Sequence, residues 1–401
     1  MKARALSVSV ACVAALACTG RGGGDLHVRR LDPPAALGST APRLSSQGDR
    51  LVLSWIEPAP AGGVALRFAS LASGGWSSAR TVVADPLVAV DPANVPGVVP
   101  LSGGAWAAFW SMNPTASQAH ARTLSVATSA DGTTWSEPAH PHGAVPTDHA
   151  MASLVPSPDG GRFGIAWLDG RAGEMSEYGE GGTGLYWADW NGSSFSRETL
   201  LDARVCDCCK TSAAWTPQGP IVAYRDRGDN ERRDISLVAR DGEAWSDPAW
   251  VRDDGWVLTA CPTNGPAVAA RGASTVIGWF SGGGGQKAVR VALSSDAGRT
   301  LGPASRVDGG DPVGRVETTV LSDGSAAVVW LERVGSGAEV RARRVGVDGV
   351  AAAPVTVAAT SPSKKSGYPR VAATGPREIL VAWIDTTGDA SRVRAATVSV
   401  P

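Results

Sequence analysis

The chain has 401 residues, with 37 Lys or Arg against 38 Asp or Glu, so its formal net charge is −1. Neither a basic excess nor a basic run is present, which argues against a polyanion such as nucleic acid as partner. No apolar run beyond position 18 is long enough to span a bilayer, and 49 Gly and 27 Pro punctuating short Val, Ala and Leu runs predict an all-β fold.

The opening MKARALSVSVACVAALACTG places Lys2 and Arg4 before an apolar run from Ala5 to Ala17 and small residues before Cys18, the layout of an export signal. The run is too short to be a membrane span. Ala15-Leu16-Ala17-Cys18 resembles the lipobox of bacterial lipoproteins, with Ala15 where that motif usually has Leu. The resemblance implies cleavage of a signal over 1–18 and lipid on the Cys18 thiol. It implies a chain in a bacterial cell envelope, on the periplasmic or outer surface of a membrane and touching it through lipid only. An ordinary secretory signal cut nearby is the alternative. Residues 19–25 then read as a Gly-rich tether and 26–401 as one domain. The exported body keeps Cys206, Cys208, Cys209 and Cys261, an even number in a compartment where disulfides persist.

One unit recurs along that body: a strand, a polar turn, and a second strand that ends in an aromatic and then an acidic or basic residue. Its instances are PRLSSQGDRLVLSWIE (42–57), PGVVPLSGGAWAAFWS (96–111), MASLVPSPDGGRFGIAWLD (151–169), KTSAAWTPQGPIVAYRD (210–226), TNGPAVAARGASTVIGWFS (263–281), VETTVLSDGSAAVVWLE (316–332) and PRVAATGPREILVAWID (369–385). The closing aromatics, Trp55, Trp110, Trp167, Tyr224, Trp279, Trp330 and Trp383, stand 51 to 57 residues apart, which leaves room for two more strands in each repeat. Four strands per repeat stacked radially is a β-propeller blade. The seventh repeat ends with SRVRAATVSV and lacks an outermost strand, whereas LHVRRLD (26–32) precedes the first repeat and is similar to the fourth strand of the others. The prediction is a seven-bladed β-propeller of four-stranded blades closed by the N-terminal strand. A six-bladed ring with the last repeat as an appendage is the alternative.

Two turns between third and fourth strands carry a recognisable motif. Ser294-Ser-Asp296-Ala-Gly298-Arg-Thr300-Leu301 matches the Asp box, S-x-D-x-G-x-T-W, with Leu in the Trp place, and Ser129-Ala-Asp131-Gly132-Thr-Thr134-Trp135 matches it one residue shorter. Asp and Ser side chains accept backbone N–H bonds there and Gly supplies positive φ, so the motif is a folding device. On these turns the chain resembles the sialidase-like, or BNR/Asp-box, superfamily of propellers, which includes exo-sialidases, other glycosidases and binding proteins. Sialidases use three arginines for the substrate carboxylate, an Asp acid/base, and a Tyr nucleophile helped by Glu. The resemblance places Arg43 where the family's first arginine falls, with Glu57 at about the family's distance, although the aromatic and Ile-Pro that flank that arginine are absent. Arg370 repeats the Pro-Arg pair in the seventh unit, and Tyr368 is the nucleophile candidate among four tyrosines. These three are the candidate catalytic residues.

Strand topology gathers the starts of first strands and the ends of second strands around one mouth of the central channel. That rule selects His149, Asp169, Arg171, Arg225, Asp226, Arg233 and Asp234 as candidate ligand contacts, with Asp254 and Trp256 from the loop DDGWVLTACPTNGP. Salt-bridged or solvated surface charge is the plain alternative for each. Cys209 and Cys261 fall at equivalent positions of neighbouring blades, so all four mature cysteines belong to this rim. Three readings stay open for Cys206, Cys208, Cys209 and Cys261. They are two disulfides, a thiolate site for Cu(I) or Zn with His149 as a possible extra ligand, or a redox-active pair that includes a vicinal Cys208–Cys209 disulfide. No cofactor is certain. The expected function is an exported, lipid-anchored propeller that binds a glycan or protein ligand at the cysteine-bearing mouth. The alternatives are an exo-glycosidase of sialidase type and a metal-binding lipoprotein.

Overall fold

The computed structural model describes residues 27–115, 121–172 and 182–401, and the export signal, Cys18 and the tether lie outside them. Seven antiparallel sheets form a ring. Their innermost strands are Thr40–Gln47, Gly97–Pro100, His149–Pro156, Ser212–Thr216, Ala267–Arg271, Pro312–Val320 and Arg370–Ala373, and each pairs with the strand that follows it in the chain. The seventh repeat is a blade of the ring, not an appendage. Its fourth strand is the N-terminal Val28–Arg30, which pairs with Arg392–Ser399 in the register Val28 to Val398 and Arg30 to Ala396. Among the described residues no helix is long and apolar enough to cross a membrane.

Period-two side-chain alternation explains why the second strands are apolar almost throughout. In Arg50–Pro58, Leu51, Leu53 and Trp55 face blade seven, while Val52 and Ile56 face blade two. Both faces are covered, as for any sheet wedged between two others. The core is accordingly divided into seven clusters, one at each interface between adjacent blades.

The charged or polar residue after each aromatic also has a physical reason in several blades. Buried Trp indoles donate to a carboxylate two residues on: Trp55 Nε1 to Glu57 (2.7 Å), Trp167 Nε1 to Asp169 (3.0 Å) and Trp330 Nε1 to Glu332 (2.6 Å). Trp279 and Tyr224 find carboxylates from elsewhere, Asp254 at 2.7 Å and Asp202 at 2.6 Å.

Blade two departs from the expected four strands. The segment EPAHPH makes only one bridge, between Val126 and Ala139. Pro138 and Pro141 cannot donate to a ladder, and imidazoles take over part of that role. His140 Nδ1 lies 2.9 Å from the Leu124 carbonyl, and the Leu124 N–H donates to His142 Nε2 at 3.2 Å.

Three inner strands begin with a bulge. The register shifts between Thr40 and Arg43, Ala150 and Ser153, and Gly314 and Glu317, each beside a non-glycine residue at positive φ: Ala41 (52°), Met151 (54°) and Arg315 (55°). Bulges re-aim the side chains that follow them, here Arg43, Ser153 and Glu317 on the channel wall.

Replacing Trp330 with Phe removes one of the three donors to buried Glu332, whose other two are the N–H groups of Gly309 and Asp311. Trp330→Phe is expected to destabilise the fold by about 1–3 kcal/mol in chemical denaturation, without changing the strand content read by circular dichroism.

Candidate functional site

Residues at one position of every repeat meet on the channel axis. Arg43, Gly97, Ser153, Ser212, Ala267, Glu317 and Arg370 each pair with the residue just before the closing aromatic of their blade. They form one level around the axis, with two cations and one carboxylate in it. A third cation, Lys210, enters from the start of blade four: its Nζ donates to the Pro266 carbonyl (2.8 Å) and lies 3.4 Å from Glu317 Oε2. Arg370 donates to the same carboxylate oxygen and, through Nε, to the Pro42 carbonyl at 2.9 Å. Arg43 lies 4.9 Å over the Phe109 ring, and its guanidinium donates no hydrogen bond to the described residues. Two glycines make this crowding possible. A Cβ on Gly97 would stand 2.3 Å from Arg43 Cδ, and one on Gly265 would stand 2.1 Å from the Lys210 carbonyl oxygen.

The electrostatics follow from three cations sharing one anion in a place largely out of water. Burial, with Arg370 adding to it, lowers Arg43 to about 10. Burial also lowers Lys210 to about 8 against the partial support of Glu317. For Glu317, burial opposes ionisation, but Lys210 and Arg370 outweigh it and hold the carboxyl below its ordinary range.

Among the described residues the channel opens toward the first-hairpin face. Its cavity, about 450 Å³, is lined by Arg43, Glu317 and Arg370 at one end and by first-hairpin residues such as Gln47 and Pro158 at the other. It shares Ser46, Gln47 and Gly48 with a vestibule of about 1280 Å³ on the hairpin face. The opposite, cysteine-bearing mouth is filled. Tyr368 reaches across it, donating to the Thr263 carbonyl (2.7 Å) and accepting from the Gly265 N–H (3.1 Å), and Cys209, Lys210, Thr211 and Asn264 are buried there. Arg315 closes the same plug with bonds to the carbonyls of Ser363 (2.7 Å) and Gly367 (3.1 Å).

Most of the polar residues expected at that mouth are consumed by the fold. Arg225 is 1% exposed, and its guanidinium donates to the carbonyls of Asn264, Arg233 and Phe280 while lying 4.7 Å over Trp256. Asp234 accepts from the N–H groups of Gly255 and Trp256 and from Arg232. Asp169 is fully buried. Burial opposes its ionisation, but His149, Arg171 and Trp167 outweigh that and hold it well below the usual carboxylate range. Arg171 also pairs with Glu198. His149 stacks on His142 at 3.5 Å, away from the cysteines, and is not a fifth ligand of that cluster. Asp254 pairs with Trp279 and Arg252. Asp226 is half-buried, bonded to Ser236 and Trp250, and raised above the usual range by burial and by Asp202.

The cysteines do meet at one rim, with a connectivity the sequence left open. One disulfide joins Cys208 to Cys261 across blades four and five, with Cα atoms 6.1 Å apart, and Cys206 and Cys209 are buried thiols. The two-disulfide and vicinal readings are therefore replaced by one bridge and a dithiol. Cys206 Sγ is 3.2 Å from Cys209 Sγ and 3.7 Å from Cys208 Sγ. Contact with the Cys209 sulfur and the charge of the Arg233 guanidinium outweigh burial and bring Cys206 down to about 7, whereas burial pushes Cys209 up. The sulfurs of Cys206, Cys208 and Cys209 lie within 4.8 Å of one another, close enough to share a soft metal ion. With Cys208 bonded to Cys261 only two thiolates remain to hold one, so the set fits Cu or Zn in full only after that disulfide is reduced.

No family model matches the sequence, and no curated protein matches it. Solved structures do match the fold. A polysaccharide lyase, PL25 ulvan lyase, is 13% identical, with 91% of this chain and 95% of that one covered at a TM-score of 0.57. A protein of unknown function from Dyadobacter fermentans is 15% identical, with 94% and 100% covered at 0.51, and the Hadza microbial sialidase Hz136 is 13% identical, with 84% and 73% covered at 0.50. At these identities the likeness is one of fold, that of the β-propeller.

Lys210 supplies a test of this charge arrangement. Its folded pKa of about 8 lies below the 10.5 of a free lysine, so between these values the folded chain binds fewer protons than the unfolded one and stability rises with pH. Urea melts from pH 7.5 to 10.5 are expected to show a rise of up to about 3 kcal/mol in the wild type relative to Lys210→Met.

Proposed function

We propose that this chain is an exported propeller, held to a bacterial cell envelope through lipid on Cys18, that binds an acidic glycan in its central channel from the hairpin face. The observation that carries this reading is the surplus of positive charge on the axis. Arg43, Lys210 and Arg370 face one carboxylate, Glu317, and Arg43 keeps all its guanidinium donors unused among the described residues. A planar guanidinium at the end of a partly desolvated channel is suited to a carboxylate or sulfate in a bidentate bond. The size of the vestibule suits an oligosaccharide better than a folded protein surface. A likeness adds support at the level of ligand class: the ulvan lyase has also been solved bound to GlcA(1-4)Rha3S, an acidic and sulfated saccharide.

The ligand site thus moves from the cysteine-bearing mouth expected from the sequence to the opposite end of the same channel. Hydrolysis of sialidase type would ask Tyr368 to act as nucleophile. Its hydroxyl is bonded to Thr263 and Gly265 and burial raises its pKa, which favours binding over that chemistry.

Calorimetry with a glucuronate-bearing oligosaccharide is expected to give saturable binding that weakens as salt is raised. Arg43→Ala should lose at least tenfold in affinity, and Arg43→Lys less. Equal binding of a neutral oligosaccharide, or Arg43→Ala unchanged, would refute the assignment. For the anchor, metabolic labelling with a palmitate analogue is expected to mark the wild type and not Cys18→Ser.

A further inference from the structure

Four sulfurs line up at the sealed mouth, from surface to interior. Cys261 is exposed, Cys208 half-buried, and Cys206 and Cys209 are 1% and 2% exposed. Cys261 is bonded to Cys208, Cys208 lies 3.7 Å from Cys206, and Cys206 lies 3.2 Å from Cys209. Each sulfur is in contact with the next, and the middle contact sets a free thiol against a disulfide. The surroundings favour that thiol as an anion. Arg233 Nε and Nη1 are buried without a hydrogen-bond partner among the described residues while Nη2 donates to Glu231, and the positive charge of this guanidinium favours the Cys206 thiolate. Cys206 is tied to the scaffold by its N–H to the Arg225 carbonyl at 3.0 Å, whereas 207–209 form a turn outside any strand ladder.

We propose that these cysteines form a thiol–disulfide relay, in which the Cys208–Cys261 disulfide and the Cys206/Cys209 dithiol interconvert and exchange with an external thiol that reaches Cys261. In the first step Cys206 thiolate attacks Cys208 Sγ. The Cys206–Cys208 bond forms, the Cys208–Cys261 bond breaks, and its electron pair leaves on Cys261, which takes a proton at the surface. In the second step Cys209, losing its proton, attacks Cys206 Sγ and releases Cys208, which takes up a proton. Two thiols and one disulfide are present before and after, so the isomerisation needs no oxidant. The end state joins Cys206 to Cys209 across two intervening residues, the spacing of a redox-active Cys-x-x-Cys pair. The exchange with outside proceeds when an external thiolate attacks the exposed Cys261 Sγ and Cys208 leaves. The relay uses none of the channel cations in its chemistry, and thiol mapping and glycan binding are read separately, so either assignment can fail alone.

The test is peptide mapping of the purified mature chain, held under argon without added oxidant or reductant, then acid-quenched and alkylated. Two free thiols per chain are expected throughout, distributed over two connectivities: Cys208–Cys261 with Cys206 and Cys209 alkylated, and Cys206–Cys209 with Cys208 and Cys261 alkylated. Reduced glutathione is expected to be captured at Cys261. Cys209→Ser should lose the second connectivity. Should that variant fail to fold by near-ultraviolet circular dichroism, Cys261→Ser serves in its place. In a glutathione buffer it should hold one disulfide from Cys206 to Cys208 or Cys209. A wild type with the single Cys208–Cys261 connectivity at every glutathione ratio up to unfolding would overturn the relay. So would Cys261→Ser with three free thiols, or a bound Zn or Cu ion whose chelation is needed to expose the thiols.

Discussion

A blade with two apolar faces can hide both only between two neighbours, so the ring must close. Blades one and seven are the ends of the chain and meet through Leu51, Leu53 and Trp55 on one side and Leu380, Ala382 and Val393 on the other. An open ring would leave those residues in water, at a cost on the order of 2 kcal/mol for each large side chain. The pairing of Val28–Arg30 with Arg392–Ser399 serves the same end by a different force, covering the edge of the last blade with backbone hydrogen bonds. Hydrophobic packing therefore accounts for closure of the ring, and the sheet pairing fixes where the chain joins itself.

Closure has an electrostatic consequence. Equivalent residues of all repeats are carried to the axis at one level, whatever their chemistry, and Arg43, Glu317 and Arg370 arrive there with Lys210 beside them. Charges so placed lose hydration and must find partners. Arg370 finds Glu317 and the Pro42 carbonyl, and Lys210 finds Glu317 and the Pro266 carbonyl. Among the described residues Arg43 finds only the face of Phe109, an interaction weaker than a charge-assisted hydrogen bond. The bulge at Ala41 aims Arg43 onto the channel wall, and the missing side chain at Gly97 gives it room.

The blades were legible because each needs one large aromatic in its second strand, and a 51- to 57-residue period survives any drift of the turns between them. The loss of the fourth strand of blade two was announced by Pro138 and Pro141 and overlooked, whereas the imidazoles of His140 and His142 that reach Leu124 in its place follow no local pattern. At the cysteine rim the topology put the right residues together but could not say what they would bind. Arg225 reads as a ligand contact from position alone, and only the three carbonyls converging on it reveal a fastening. Lys210 and Glu317 were missed, although counting each repeat back from its aromatic would have set Glu317 level with Arg43 and Arg370. Lys210, one of five lysines in the chain, follows directly on the cysteine cluster and was overshadowed by it.

The two ends of the channel divide the chemistry between them. Tyr368 and the segments it pins turn a through-channel into a well with a charged floor, so an anion entering from the hairpin face ends against Arg43 and Arg370 in a poorly solvated place, where their attraction is least screened. The same plug keeps Cys206 and Cys209 out of bulk water while leaving Cys261 at the surface. The two sites touch at one point of the backbone. Cys209 and Lys210 are successive residues, with the thiol on the rim and the ammonium on the floor. Thr211 holds both in place through its hydroxyl bond of 2.7 Å to the Met151 carbonyl of the neighbouring blade. The Thr211 anchor stands between the cysteine turn and blade four's inner strand, and the residue between turn and anchor is Lys210.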